Sequence, residues 1–206
     1  KLDGRDIPEK DFLSCFLRVE SAAAGELSFF ETLTVIAFLY FSLKKTRFAV
    51  VEAGLGGGLD ATNAADGAVA GITSVSLEHV ALLGPELSHI AAHKAGIIKG
   101  GAAVVAGSSI PPDALRVLER RTAAVGARLF VPAKVFPPAL PGVEKKLRKA
   151  GGFQLENALF AMKAAALAAR LAGLKLNKDK AYAALPAAVP PGRFENFVVG
   201  GRRVVV

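Results

Sequence analysis

Four short runs made almost wholly of apolar residues constrain this chain more than any other feature: FAVVEA (48–53), GITSVSL (71–77), AAVVAG (102–107) and ARLFVP (127–132). Short runs without strict polar alternation suit strands covered on both faces, as in parallel sheets. Longer segments with helical start and stop signals lie between them. Residues 85–98 open on Pro85 and Glu86, and residues 111–126 have prolines at the start and Gly126 at the end. This strand–helix alternation predicts an α/β fold with a doubly wound, mostly parallel sheet.

The flanking segments add helices. Residues 8–24 read as a helix opened by Pro8, with Phe12, Cys15, Phe16 and Val19 on one face. Ser28 followed by Glu31 is a capping box for a helix over 29–45. Prolines 137, 138 and 141 predict a loop over 132–152, or a place where material is missing. Helices are then expected over 153–173 and 177–184, and a hairpin over 194–206 turning at Gly200 and Gly201.

The chain has 206 residues, 52% of them hydrophobic, enough for a real core and for one domain or slightly more. The net charge of +8 raises the prospect of phosphate or polyanionic ligands. The basic stretches are short, however, and lack the interleaved aromatics of a nucleic-acid surface, so no nucleic-acid partner is expected. Cys15 is the only cysteine, which rules out an intrachain disulfide and a cysteine-based metal site. The most apolar stretch, 29–45, is too short between Glu31 and Lys44 for the roughly 20 residues of a membrane span. A cytoplasmic protein without membrane association is expected.

Several residues carry candidate chemistry. Glu52 closes an apolar run, and the carboxyl ends of parallel strands are where open α/β sheets place ligands. A carboxylate there suits a hard cation such as Mg²⁺, or is simply an exposed strand-end charge. His79 follows Glu78 at the end of the next run and is either a second metal ligand at the same edge or a structural histidine. GLGGGL (54–59) fails as a dinucleotide loop because Leu59 stands where a third glycine belongs. Asp60, Thr62 and Asn63 are expected to fix its shape through local hydrogen bonds. His89 and His93 have zinc spacing but lack the glutamate and third ligand of a zinc motif. Lys94 precedes the small residues Ala95 and Gly96, and Arg193 follows Pro190, Pro191 and Gly192. Arginine is a natural phosphate clamp, and Lys94 by itself reads as an exposed helical lysine.

In order along the chain, EAGLGGGLDATN (52–63), LEH (77–79), HKAGIIKGG (93–101), FQLENA (153–158) and PGRF (191–194) resemble the motifs of the folylpolyglutamate synthase/dihydrofolate synthase family, in the Mur ligase superfamily. The resemblance implies the central ATPase-type domain of that family, with a P-loop NTPase-like sheet. It also implies joining of L-glutamate to the carboxylate of a pterin or folate, with ATP as the phosphoryl donor and an acyl phosphate as intermediate. Glu52 and His79 would hold Mg²⁺, Lys94 would be a carbamylated catalytic lysine, Asn157 would meet the adenine, and Arg193 the phosphates. A monomer is expected. Residues 1–189 would be the central domain, and 190–206 a linker and the start of a C-terminal domain.

The chain also departs from the family pattern. Gly58 stands in place of an arginine, Glu78 of an aspartate, His93 of a glutamate and Phe153 of a histidine. No Gly-Lys-Ser/Thr phosphate loop occurs within the 206 residues. The sequence therefore reads as truncated at both ends, and this polypeptide alone is expected to be inactive. The competing expectation is a non-catalytic remnant, or a binding module for acidic ligands, with the same fold.

Overall fold

The computed structural model describes residues 1–133, 141–149, 151–188, 196–199 and 202–205. The chain divides into two compact units, Lys1–Asp66 and Gly67–Val206, a boundary that composition did not reveal.

The first unit is built on two helices. α1 (Glu9–Ala23) follows Pro8 and stops where Ala24 and Gly25 turn to φ of 50° and 79°. α2 (Phe29–Leu43) starts at the expected capping box: Ser28 Oγ accepts from the Glu31 amide, and the Glu31 carboxylate accepts from the Ser28 amide at 2.8 Å. These reciprocal bonds satisfy two of the amides that a helix start leaves without partners. Cys15 and Val19 of α1 meet Ile36 and Tyr40 of α2 in a small apolar core. Phe12, one turn before that buried stripe, is exposed instead of sharing it.

Residues 48–53 do not form the expected strand. No strand among the described residues includes them, and Val50 is 99% exposed. Apolar, β-branched composition permits a strand, but only backbone pairing with a neighbour makes one.

The second unit holds a three-stranded parallel sheet in the order β1 (Val69–Ile72), β2 (Ala103–Ala106), β3 (Arg128–Phe130). β1 shares only residues 71 and 72 with the expected 71–77 strand: it begins earlier, at Val69, and ends at Ile72, opposite Ala106 of β2. After β1 come a one-turn helix α3 (Val80–Leu83) and then α4 (Leu87–Ala95). α5 (Pro112–Ala124) links β2 to β3. Ala70 and Ile72 of β1 and Val104 and Ala106 of β2 face Ile90 of α4 and Leu118 of α5. The alternate residues Val69, Ala103, Val105 and Phe130 face Phe160, Ala164 and Leu167 of α7 (Gly152–Leu171). With side chains alternating across a strand, both faces are thus covered, and the sheet is doubly wound as expected.

The stretch expected to be a loop instead contains α6 (Pro141–Lys149). Proline stands at its first position, where a missing amide proton costs nothing, so Pro141 starts a helix rather than excluding one. Glu144 and Arg148 add an i,i+4 ion pair. Leu147 packs against Leu155 and Ala158 of α7, and Tyr182 of α8 (Lys178–Ala184) borders that cluster. Near the end, β4 (Asn196–Val199) and β5 (Arg202–Val205) pair antiparallel as the expected hairpin, with Val199 opposite Arg202. Its turn glycines lie outside the described residues. Among the described residues no helix is long and apolar enough to cross a membrane.

Candidate active site

In the first unit the glycine-rich loop is organised by one carboxylate. Asp60 Oδ2 accepts from the amides of Gly54 and Leu55 at 2.9 and 3.0 Å, and its Oδ1 accepts from the Thr62 amide at 2.9 Å and from the Thr62 hydroxyl. Asn63 Nδ2 donates to the Gly58 carbonyl at 2.8 Å. Residues 61–64 then close as a single 3₁₀ turn. Burial disfavours the Asp60 anion, but the hydrogen bonds from Thr62, Leu55 and Gly54 outweigh it and hold its carboxyl below the usual value of 3.8. A side chain at Gly54 would press on this carboxylate and on the Phe30 ring, at 3.1 and 3.3 Å, so glycine allows the backbone to lie against both. Glu52, just before this loop, is exposed.

In the second unit the segment after β1 carries the other candidates. His79 occupies the left-handed region, with φ 47° and ψ 37°, and starts α3, its carbonyl accepting from the amides of Leu82 and Leu83. A non-glycine residue in that conformation costs about 1–3 kcal/mol, and Asp3, Ala24 and Lys45 adopt it as well. The His79 ring is exposed and has no hydrogen bond or ion pair among the described residues, so both nitrogens are open to a ligand. Glu78, beside it, is committed elsewhere: its Oε1 lies 2.6 Å from Lys94 Nζ. Lys94 stands in the last turn of α4 with its side chain 21% exposed, against 41% for Glu78. Lys94 is therefore not a solvated helical lysine. The geometry is that of an ammonium–carboxylate pair, and a carbamate at Lys94 would set two anions against each other, so the pair must part before any carbamylation.

The carboxyl ends of β1 and β2 converge closely. Gly107 donates its amide to the Ile72 carbonyl at 2.8 Å, and a Cβ on Gly107 would lie 1.9 Å from the Thr73 carbonyl oxygen. Just beyond, the Ser109 hydroxyl donates to the Glu156 carboxylate, 2.6 Å from Oε1 and 2.8 Å from Oε2. Asn157, the next residue of α7, has an exposed amide with no hydrogen bond among the described residues.

The structure thus brings Lys94 to Glu78, beside His79, and brings the start of α7 to the end of β2. Glu52 belongs to the other unit. Arg193 lies outside the described residues. Among the described residues no three His, Cys, Asp or Glu side chains gather to hold a metal. His89 packs its ring over Gly84, where a Cβ would lie 2.8 Å from Nδ1. Glu78 as the partner of Lys94, and Ser109 as the partner of Glu156, escape sequence reading. The second pair is separated by 47 positions, and no local pattern joins them.

No protein-family model matches the chain. Among curated proteins it is 35% identical over 175 residues to a folylpolyglutamate synthase of Arabidopsis thaliana, covering 81% of this chain and 30% of that protein. It is 30% identical over 202 residues to the dihydrofolate synthase/folylpolyglutamate synthase of Escherichia coli K12, covering 95% of this chain and 47% of that protein. Among solved structures, one described as an FPGS–AMPPCP–folate complex superimposes with a TM-score of 0.82 at 27% identity, over 99% of this chain and 55% of that one. The chain spans about half the length, or less, of the relatives it matches.

Proposed function

From the premise that this chain belongs to the folylpolyglutamate synthase/dihydrofolate synthase family, we propose that it forms part of an ATP-dependent ligase of folate metabolism. The ligase would join L-glutamate to dihydropteroate or a folate. The substrate carboxylate attacks the γ-phosphorus of ATP and ADP leaves. The glutamate amine then attacks the acyl carbon and gives up a proton, and the bond between that carbon and the bridging oxygen breaks as phosphate leaves with the oxygen. The observation that carries this reading is the likeness over almost the whole chain to a relative whose description names AMPPCP and folate.

The residue roles follow from their chemistry. Asn157 offers an amide, donor and acceptor together, to the adenine edge. Arg193 would pair with the phosphates in a bidentate fashion. Lys94 is the proposed catalytic lysine, with Glu78 setting its direction in the resting pair. Glu52 and His79 would hold Mg²⁺. The Glu52 carboxylate is a hard oxygen donor of the kind Mg²⁺ takes, and the exposed His79 ring would reach the ion through one of its waters. When bound, that ion would neutralise charge developing on phosphoryl oxygens. Residues 1–189 would serve as the central domain and 190–206 as the passage to a C-terminal one, in a monomeric cytoplasmic enzyme.

The test uses the chain extended with the remaining length of a relative such as the E. coli protein. Incubated with ATP, Mg²⁺, labelled L-glutamate and either dihydropteroate or a folate, it should yield labelled amide product with ADP and phosphate in equal amounts. Label that stays in free glutamate with both acceptors would overturn the proposal.

A further inference from the structure

We infer that the Glu156 carboxylate, aimed by Ser109, accepts hydrogen bonds from the ribose hydroxyls of the nucleotide and so distinguishes a ribonucleotide from its deoxy forms; the inference rests on the adenine role proposed above for Asn157.

The opening turns of α7 are held from two sides. Leu155 and Ala158 are buried against Leu147 of α6. On the other side Phe160 fills the space over Gly71 of β1, where a Cβ would lie 2.8 Å from its Cζ. Glu156 and Asn157 stand four and three positions before Phe160, spacings that make them its neighbours on the helix surface. Both therefore sit one turn beyond the apolar stripe that covers the sheet. The contact with Ser109 puts Glu156 at the carboxyl end of β2, since Ser109 follows Ala106 by three residues. That edge is where open parallel sheets place their ligands.

The acceptors of Glu156 are far from filled. A carboxylate offers about four acceptor sites over its two oxygens, whereas a serine has one hydroxyl proton. Ser109 Oγ lies 2.6 Å from Oε1 and 2.8 Å from Oε2, so it spans both oxygens and satisfies one site. Among the described residues no cation and no backbone amide adds to it. The partly exposed anion keeps room for two further donors, one on each oxygen. Two neighbouring hydroxyls match that demand, and a phosphate in the same place would be repelled. The next residue, Asn157, has an exposed amide that is also open. An amide for a base edge beside a carboxylate for a vicinal diol is the combination a nucleoside requires. Ser109 touches no ligand in this arrangement. It is a positioning residue, which holds the carboxylate in one direction.

NMR titration of the 206-residue chain with Mg²⁺–ATP and Mg²⁺–2′,3′-dideoxy-ATP tests the assignment. The wild-type chain should bind ATP about tenfold more tightly, the effect of one hydrogen bond to a charged group. Glu156→Ala should bind the two alike. Glu156→Gln keeps one acceptor oxygen and should retain a preference of about threefold, and Ser109→Ala should fall to about the same value. Affinity for the dideoxy form should not fall in any variant, because it has no hydroxyl for the carboxylate to meet. Equal binding of ATP and its dideoxy form by the wild-type chain, or an unchanged preference in Glu156→Ala, would overturn the ribose role. An unchanged preference in Ser109→Ala would overturn the positioning role of the serine. In parallel, Asn157→Ala should erase the preference for ATP over GTP and leave the sugar preference in place. If the base preference survives that change, the adenine role falls, while the sugar ratio still decides Glu156. A chain that binds no nucleotide overturns both.

Discussion

Lys94 Nζ lies 2.6 Å from Glu78 Oε1, tying the last turn of α4 to the segment that leaves β1. The pair is partly exposed, and such pairs contribute about 0.2–1 kcal/mol. Its value is therefore in where it holds the lysine. In the extended enzyme described above, Lys94→Ala should lower ligation by at least about 100-fold, in the range typical of losing one charge-stabilising group. A double-mutant cycle with Glu78→Ala should give a coupling in folding stability below about 1 kcal/mol. Added short-chain carboxylates should restore part of the ligation if a carbamate is the working form. Wild-type turnover in Lys94→Ala would return Lys94 to a purely structural pair.

The 206-residue chain alone should release no phosphate from ATP, with or without folate and glutamate. No backbone cradle with a Gly-Lys-Ser/Thr lysine occurs in it to hold the β- and γ-phosphates. A coupled phosphate assay reads this directly, and steady folate-dependent release would contradict it.

Asp60 makes the glycine-rich loop sensitive to acid. Its folded carboxyl titrates below 3.8, so its contribution to stability is complete above that value and is lost as pH falls through the lower, folded value. Asp60→Asn keeps one acceptor oxygen and loses the other, which should cost about 2 kcal/mol at pH 7. Thermal unfolding of both proteins should show the gap narrowing only below about pH 4. A gap of the same size at pH 7 and pH 3 would show that the loop does not depend on the carboxylate anion.

Gly107→Ala should be severely destabilising, by about 3 kcal/mol or more, because its Cβ would collide with backbone rather than with a yielding side chain. Gly100→Ala is the control, since its nearest neighbour, the Val125 carbonyl oxygen, would be 3.7 Å away. Urea midpoints compare the two. Equal stability of both variants would mean that β1 and β2 can separate without loss.

Much of the second unit was legible in the sequence. AAVVAG and ARLFVP located β2 and β3, with bounds wider than the observed Ala103–Ala106 and Arg128–Phe130, since largely apolar runs flanked by glycine and proline leave few alternatives. The capping box set the start of α2. FAVVEA has the same composition as a buried strand and is not one, because pairing depends on a neighbour the run itself does not encode. Pro141 was read as a breaker where it is a helix start, a distinction that turns on one position. At the site, Lys94 and His79 stood out by motif. Glu78 registered only as a departure from the family pattern, although it is the ion-pair partner of Lys94. Ser109 carried no signal, because its partner is distant along the chain and near only in the fold.

The ring of Phe160 occupying the space above Gly71 also has a consequence for the order of assembly. β1, α4, β2, α5 and β3 follow one another closely, so their contacts close short loops and form early. α7 meets β1 only across the intervening length of chain, and it can seat Phe160 only after β1 is in place. The helix that carries Glu156 and Asn157 thus arrives after the sheet and the helices α4 and α5. By the same reasoning it detaches under mild denaturant before the sheet and its other layer of helices, taking the proposed adenine contact with it.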